Sequence, residues 1–175
     1  MKLNLGCGRD IRLGYINLDM LPLEGVDVVH DLNVPPLPFK EDLFDEINCQ
    51  NIIEHLDNFL PFMEDVWRIL RHDGVINILT AHCSGPQAFS DPTHRSFYSY
   101  NSFRYFTEDY IYNFYTKARF EIVERKIVFA TGRLRFFNPL VNPIINLFPN
   151  LYERLFMWKL PAESISFTLR AIKNQ

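Results

Sequence analysis

Cysteine is scarce in this chain of 175 residues: Cys7, Cys49 and Cys83 show neither paired nor metal-type spacing, so neither a disulfide framework nor a cysteine-based metal centre is expected. A reducing, cytoplasmic compartment is the simplest expectation, with no charged-then-apolar leader before the first apolar run. Glycine is sparse too, with 7 residues. A dinucleotide-binding turn needs a third glycine three residues after Gly8, where Ile11 stands, and no phosphate-binding lysine loop occurs. Repeats and low-complexity tracts are absent. With 47% apolar and 22% charged residues the chain suits one soluble domain, 1–175, rather than a disordered segment.

Against those absences stands one concentrated signal. Leu3-Asn4-Leu5-Gly6-Cys7-Gly8 is an apolar strand running into a turn with two glycines, and Asp19 closes the next apolar run, Tyr15-Ile16-Asn17-Leu18. Glycines let backbone amides approach a ligand closely, and a carboxylate after the second strand offers two acceptors to ribose hydroxyls. Acidic or amide residues recur after later strand-like runs: Asp31 after 26–30, then Gln50 and Asn51 after 46–49. Ligands of open parallel sheets bind at the carboxyl ends of the strands, so Gly6, Gly8, Asp19, Asp31 and Asn51 should line one crevice. Cys7 and Cys49 fall beside it and read as small residues filling tight places rather than as reactive thiols.

These strings, with Phe44-Asp45-Glu46-Ile47, Ile53-Glu54-His55-Leu56 and Asp91-Pro92-Thr93-His94, resemble class I S-adenosylmethionine-dependent methyltransferases, specifically the type 11 branch, over residues 2–129 and more weakly the final strand. The resemblance implies an α/β, Rossmann-like seven-stranded mixed sheet in the order 3-2-1-4-5-7-6 with strand 7 antiparallel. It implies S-adenosyl-L-methionine as cofactor. Leu5, Gly6, Cys7 and Gly8 would form the turn against the methionine part, and Asp19 would hold the ribose hydroxyls. Asp31 would bond the adenine amine, Met20 and Leu32 would pack on the base, and Gln50, Asn51 and Ile52 would flank adenine or the methyl sulfur. Glu54 and His55 match a pair common in the branch, and His55 joins the expected cofactor residues. Only residues 9–14 connect the first two strands, too few for the crossover helix of a parallel pair, so that connection is shortened.

The clearest helix spans 58–70, with Leu60, Met63, Trp67 and Leu70 as its apolar stripe, Asp57 or Asn58 as cap and Gly74 after its end. Strands over 75–80, 121–129 and 164–172 should complete the sheet. Two irregular segments should choose the acceptor. In 81–96, His94 is the candidate base, with Asp91 able to orient its ring; a metal on His82, Asp91 and His94 lacks a recognised spacing, so no metal is expected. In 130–163, aromatic residues and four prolines read as a helical cap inserted between strands 6 and 7, too short for a core of its own and too interrupted to span a bilayer. With only Met1 and Lys2 before strand 1, that cap, the 81–96 loop or a second subunit must enclose substrate.

Charge is uneven. Residues 1–115 carry 17 acidic against 8 basic side chains, whereas residues 116–175 carry 4 against 10. Lys117, Arg119, Arg125, Lys126, Arg133 and Arg135 suggest either a solvated face or an anionic partner. Duplex nucleic acid fits less well, for no binding motif accompanies them. The leading expectation is methyl transfer to an oxygen or nitrogen of a small-molecule, glycan or lipid-linked acceptor. Peripheral membrane contact through 130–163 and a homodimer are further uses for its aromatics. The alternatives are a non-catalytic S-adenosylmethionine-binding regulator and a nicotinamide-dependent oxidoreductase.

Overall fold

A computed structural model describes residues 1–173. Seven strands form one sheet in the order β3-β2-β1-β4-β5-β7-β6. They are β1 (Lys2–Leu5), β2 (Ile16–Asp19), β3 (Val28–Val29), β4 (Phe44–Gln50), β5 (Leu70–Ala81), β6 (Phe120–Val128) and β7 (Ser164–Ala171). Strands β1 to β5 pair in parallel, while β7 runs antiparallel to both β5 and β6. The order and the single reversed strand agree with the expectation; strand 3 shrinks from the expected five residues to two.

Side chains alternate along the central strands, and the two faces differ sharply. Leu3, Ile47, Ile76 and Leu169 lie in register, as do Leu5, Cys49, Ile78 and Phe167, and all are buried. On this apolar face packs α1 (Phe59–Ile69). Its fully buried side chains are Phe62, Met63, Val66 and Ile69, whereas Leu60 and Trp67 are only half-buried. The stripe read from the sequence is thus rotated, because Phe62 and Val66 face the sheet. The helix bounds agree to within a residue, with Asn58 at the N-cap position, but its side chain makes no capping bond, and the chain passes from Ile69 directly into β5, which contains Gly74. Phe59 packs edge-on against Tyr98, Phe103 and Phe106, and Phe103 meets Phe167 at 4.4 Å, so the 97–106 segment completes the cover.

The opposite face carries asparagine where apolar residues are usual for a parallel sheet. Asn17, Asn4, Asn48 and Asn77 occupy one row across β2, β1, β4 and β5. Asn48 donates to Asn4, which donates to Asn17 and to the Asp10 carbonyl; Asn17 accepts from the Arg12 N–H. Asn4 and Asn17 thereby hold the helix-free 6–15 connection against the sheet. They also explain how it does without a crossover helix, since its backbone finds side-chain partners instead.

The 130–163 segment is helical, as expected, with α3 (Asn138–Leu147) and α4 (Pro149–Leu155) following a short α2 (Pro86–Ser90) earlier in the chain. It leaves the end of β6 that lies level with the carboxyl end of β5. Asn138, Asn142 and Asn146 recur every fourth residue on one face of α3 and accept from the N–H groups of Ala130, Phe129 and Ile127. Asn138 and Asn146 return bonds to the Ala130 and Ile127 carbonyls. The last part of the outer edge of β6, at Ile127, and the two residues that follow the strand are therefore covered by side-chain amides.

Candidate functional site

At the carboxyl ends of β1, β2 and β4 the glycine turn bends back on the strands. Gly6 and Gly8 have φ of 59° and 51°, in the left-handed region. A Cβ on Gly6 would meet Ile52 Cδ1 at 2.1 Å, so only glycine lets the turn lie against that side chain. The Gly8 N–H donates to Asp19 Oδ2 at 2.8 Å, and the Leu21 N–H donates to Oδ1 at 3.0 Å. Each oxygen keeps acceptor capacity for a ligand. Asn51 sits at φ 53°, with its N–H bonded to the Leu79 carbonyl at 2.7 Å, so β4 turns abruptly at the crevice.

These residues enclose a cavity of about 390 Å³, within the usual range for small ligands. Gly6, Asp19, Met20, Asp31, Leu32, Asn51, Ile52 and His55 line it, bringing eight of the expected cofactor residues together. Four others lie outside the lining. Leu5 and Cys7 are buried, Gly8 stands behind Asp19, and Gln50 points along the asparagine row to Asn48. Burial first, and then the Asp19 charge, push the Cys7 thiol above its ordinary pKa. Sequence reading missed Asn33, Leu56 and Thr93 in the lining. Asn33 was findable: its N–H donates to Asp31 Oδ1 at 2.9 Å, the turn that an Asp two residues earlier favours. Apolar Met20, Leu32, Ile52 and Leu56 beside the carboxylates of Asp19 and Asp31 are the surfaces a nucleoside needs, with planes for a base and acceptors for hydroxyl and amine donors.

The expected Asp91 to His94 contact is replaced by a different arrangement. Asp91 Oδ1 accepts from both the N–H and the Oγ1–H of Thr93, and these bonds hold its carboxyl below the usual pKa range. Thr93 Oγ1 in turn meets His55 Nδ1 at 2.8 Å. The His94 ring is oriented by the Ala88 carbonyl, 3.0 Å from Nδ1. Proline at 92 and the tight turn explain the change, since Asp91 is engaged by the backbone two residues on. His82 lies apart: fully buried, it contacts Ser84 Oγ and Glu153 Oε1, tying the inserted segment to β5. None of residues 130–163 lines the cavity.

The basic residues of the last third also divide. Arg119 bonds the carbonyls of Thr116 and Ala118, Arg125 lies 3.9 Å over the Tyr100 ring, and Lys126 pairs with Glu124. Arg133 and Arg135 are exposed.

A mixed sheet in this strand order, with a glycine turn and two acids at its carboxyl edge, defines a Rossmann-like methyltransferase fold. Residues 3–78 match the family model described as methyltransferase domain. Among solved structures, the Archaeoglobus fulgidus S-adenosylmethionine-dependent methyltransferase is 16% identical with a TM-score of 0.57, over 97% of this chain and 85% of that one. The corresponding Mesorhizobium loti enzyme is 14% identical at a TM-score of 0.58, over 97% and 89%. A chain from the complex between the Haloferax volcanii Trm112 methyltransferase activator and a methyltransferase is 14% identical at 0.58, over 98% and 82%. No curated protein matches. The family match thus covers residues 3–78, and the whole chain shares its fold with S-adenosylmethionine-dependent methyltransferases of known structure, a likeness that implies S-adenosyl-L-methionine as cofactor.

Proposed function

We propose that the protein transfers a methyl group from S-adenosyl-L-methionine to an oxygen or nitrogen of a small-molecule, glycan or lipid-linked acceptor. The observation that carries this reading is the 390 Å³ cavity in which the Gly6 turn, Asp19 and Asp31 converge. When bound, the cofactor supplies an already activated methyl group, so the protein must chiefly orient the reactants and manage one proton. In this reading Asp19 accepts from the ribose hydroxyls and Asp31 from the adenine amine. Met20 and Leu32 cover the base, and the turn from Gly6 to Gly8 lies along the methionine part. Asn51 and Ile52 stand beside adenine or the sulfur.

His55 and His94 mark the acceptor side, their ring centroids 4.7 Å apart. With Nδ1 of His94 committed to the Ala88 carbonyl, its Nε2 is left to take a proton or to serve as a ligand. Asp91 becomes a positioning residue, acting on His55 through Thr93. The inserted 130–163 segment, within one domain, offers the surface on which a large or lipid-linked acceptor rests.

Calorimetric titration with S-adenosylmethionine and S-adenosylhomocysteine, with a nicotinamide dinucleotide as control, tests the reading. Micromolar binding of the sulfur nucleosides alone supports it. Preference for the dinucleotide, or no binding by folded protein, overturns it. Binding without turnover across an acceptor screen would favour a regulatory protein.

A further inference from the structure

Where the segment after β4 meets the loop after β5, three side chains converge beside the nucleoside cavity. Arg95 and Ser96 both donate backbone N–H groups to the Glu54 carbonyl, at 2.8 and 3.2 Å, which pins His94 next to Glu54 and His55. A carboxylate oxygen of Glu54 and a ring nitrogen of each histidine lie within 4.8 Å of one another.

Hydrogen-bond partners assign the protons. The Ala88 carbonyl can only accept, so His94 Nδ1 donates to it. Thr93 gives its single hydroxyl proton to Asp91 Oδ1, so in its contact with His55 Nδ1 the ring donates. Both neutral imidazoles therefore keep the proton on Nδ1 and present a lone pair at Nε2. Glu54 is only 2% exposed, and its Oε2 is buried without a hydrogen-bond partner among the described residues. Native structures rarely leave a buried carboxylate oxygen without a donor, and neither Nε2 can supply one. A proton would satisfy only part of this set of acceptors. A dication satisfies all three.

We propose that Glu54, His55 and His94 bind a divalent transition-metal cation. Two imidazoles and one carboxylate suit Zn²⁺, Mn²⁺, Fe²⁺ or Co²⁺ better than Mg²⁺ or Ca²⁺. Such an ion sits about 2.0–2.2 Å from each donor, and the three ligand atoms here already lie within 4.8 Å of one another. The Ala88 carbonyl and the Thr93 to Asp91 relay are the outer hydrogen bonds that orient ligating histidines and fix their tautomers. His55 and Thr93 also line the cavity, so the proposed site adjoins it, and three protein ligands leave coordination positions open.

On the methyltransferase reading, on which this extension rests, those positions take a hydroxyl oxygen of the acceptor. The cation lowers the pKa of that hydroxyl and its proton passes to water. The oxygen then bonds to the methyl carbon as the carbon–sulfur bond breaks and its electron pair passes to sulfur. This favours hydroxyl acceptors over amines, and makes His94 a ligand rather than a base.

The test uses chelator-stripped protein titrated with Co²⁺, read by its visible d–d absorption, and with Zn²⁺ by calorimetry; S-adenosylhomocysteine is titrated into the same samples. One equivalent of each metal should bind. His94→Ala, with a half-exposed side chain, should stay folded and weaken binding by about 100-fold or more, and Thr93→Val by about 10-fold. Glu54→Gln, which keeps the side-chain shape, should abolish the Co²⁺ spectrum. Absence of saturable uptake, or equal uptake by wild type and His94→Ala, overturns the cation site. S-adenosylhomocysteine binding without metal uptake sinks the site and leaves the methyltransferase reading standing; metal uptake without nucleoside binding does the reverse.

Discussion

Asp19 carries the sharpest residue-scale prediction, because its two oxygens already hold the Gly8 and Leu21 amides at the edge of the cavity. Asp19→Ala should weaken S-adenosylhomocysteine binding by roughly 1.5–3 kcal/mol, the range for a charge-assisted hydrogen bond. Calorimetry checks this beside a melting curve, and unchanged affinity in a folded variant would remove Asp19 from the site. The cysteines make the opposite kind of prediction. Burial raises the thiol pKa at Cys7, Cys49 and Cys83, and the nearby carboxylates of Asp19, Glu54 and Glu153 push in the same direction. At neutral pH all three should react slowly with a disulfide reagent in the native protein and rapidly in denaturant. A single fast thiol in the native state would contradict the packing described.

The reasons some site residues were legible in sequence and others were not are local. Gly6, Asp19 and Asp31 announce themselves because a turn with φ > 0 and a carboxylate at a strand end require particular residue types. His55 and His94 were visible as residue types, but their partnership was not. It depends on two backbone bonds from the 95–96 segment to the Glu54 carbonyl, which no side-chain pattern encodes. The partner of Asp91 is hidden for the same reason, since its choice between Thr93 and His94 is settled by turn geometry.

Among the elements, α3 shows how polar side chains can serve the fold. Its asparagines at every fourth position would pass in sequence for a solvated helix face, yet they take up the amides of Ile127, at the end of edge strand β6, and of Phe129 and Ala130 just beyond it. Asn146 makes the most of these bonds: it accepts from the Ile127 N–H and donates to the carbonyls of Ile127 and Asn142. Asn146→Ala should cost about 1–2 kcal/mol, seen as a lower urea midpoint at unchanged slope, with faster exchange of the Ile127 amide. An unaltered Ile127 exchange rate would show that α3 does not hold that edge. The strand order could be read from the family resemblance, but the α1 stripe could not be placed correctly. Leu60 and Trp67 fit a helical period as well as Phe62 and Val66 do, and only the position of the sheet decides between them.

For the whole molecule, the two charge regimes seen in sequence become a surface argument. Residues 130–163 carry four basic and two acidic side chains, and both acids are engaged, Glu153 with His82 and Glu163 with Thr131. Leu140, Ile144, Leu147, Phe148, Leu155 and Trp158 are exposed on the same segment. No helix among the described residues is long and apolar enough to cross a membrane. We propose that this face rests on anionic lipid, where cations and aromatic side chains act together. Sedimentation with phosphatidylserine-containing vesicles should carry the protein down at low salt, and Trp158→Ala or added salt should reduce the bound fraction. Equal sedimentation with neutral vesicles, or a concentration-dependent dimer that buries Trp158, would tell against it.

The asparagine row across β2, β1, β4 and β5 has a further consequence for how the chain finds its structure. With no helix in the 6–15 connection, β1 and β2 have little else to keep one from sliding against the other. Neighbours of these asparagines along each strand are leucine, isoleucine or cysteine, so sliding a strand by a single residue would turn a carboxamide toward the apolar face and an apolar side chain into the asparagine row. Each strand thus carries its own alignment mark, and a misaligned sheet is rejected by the same chemistry that stabilises the aligned one.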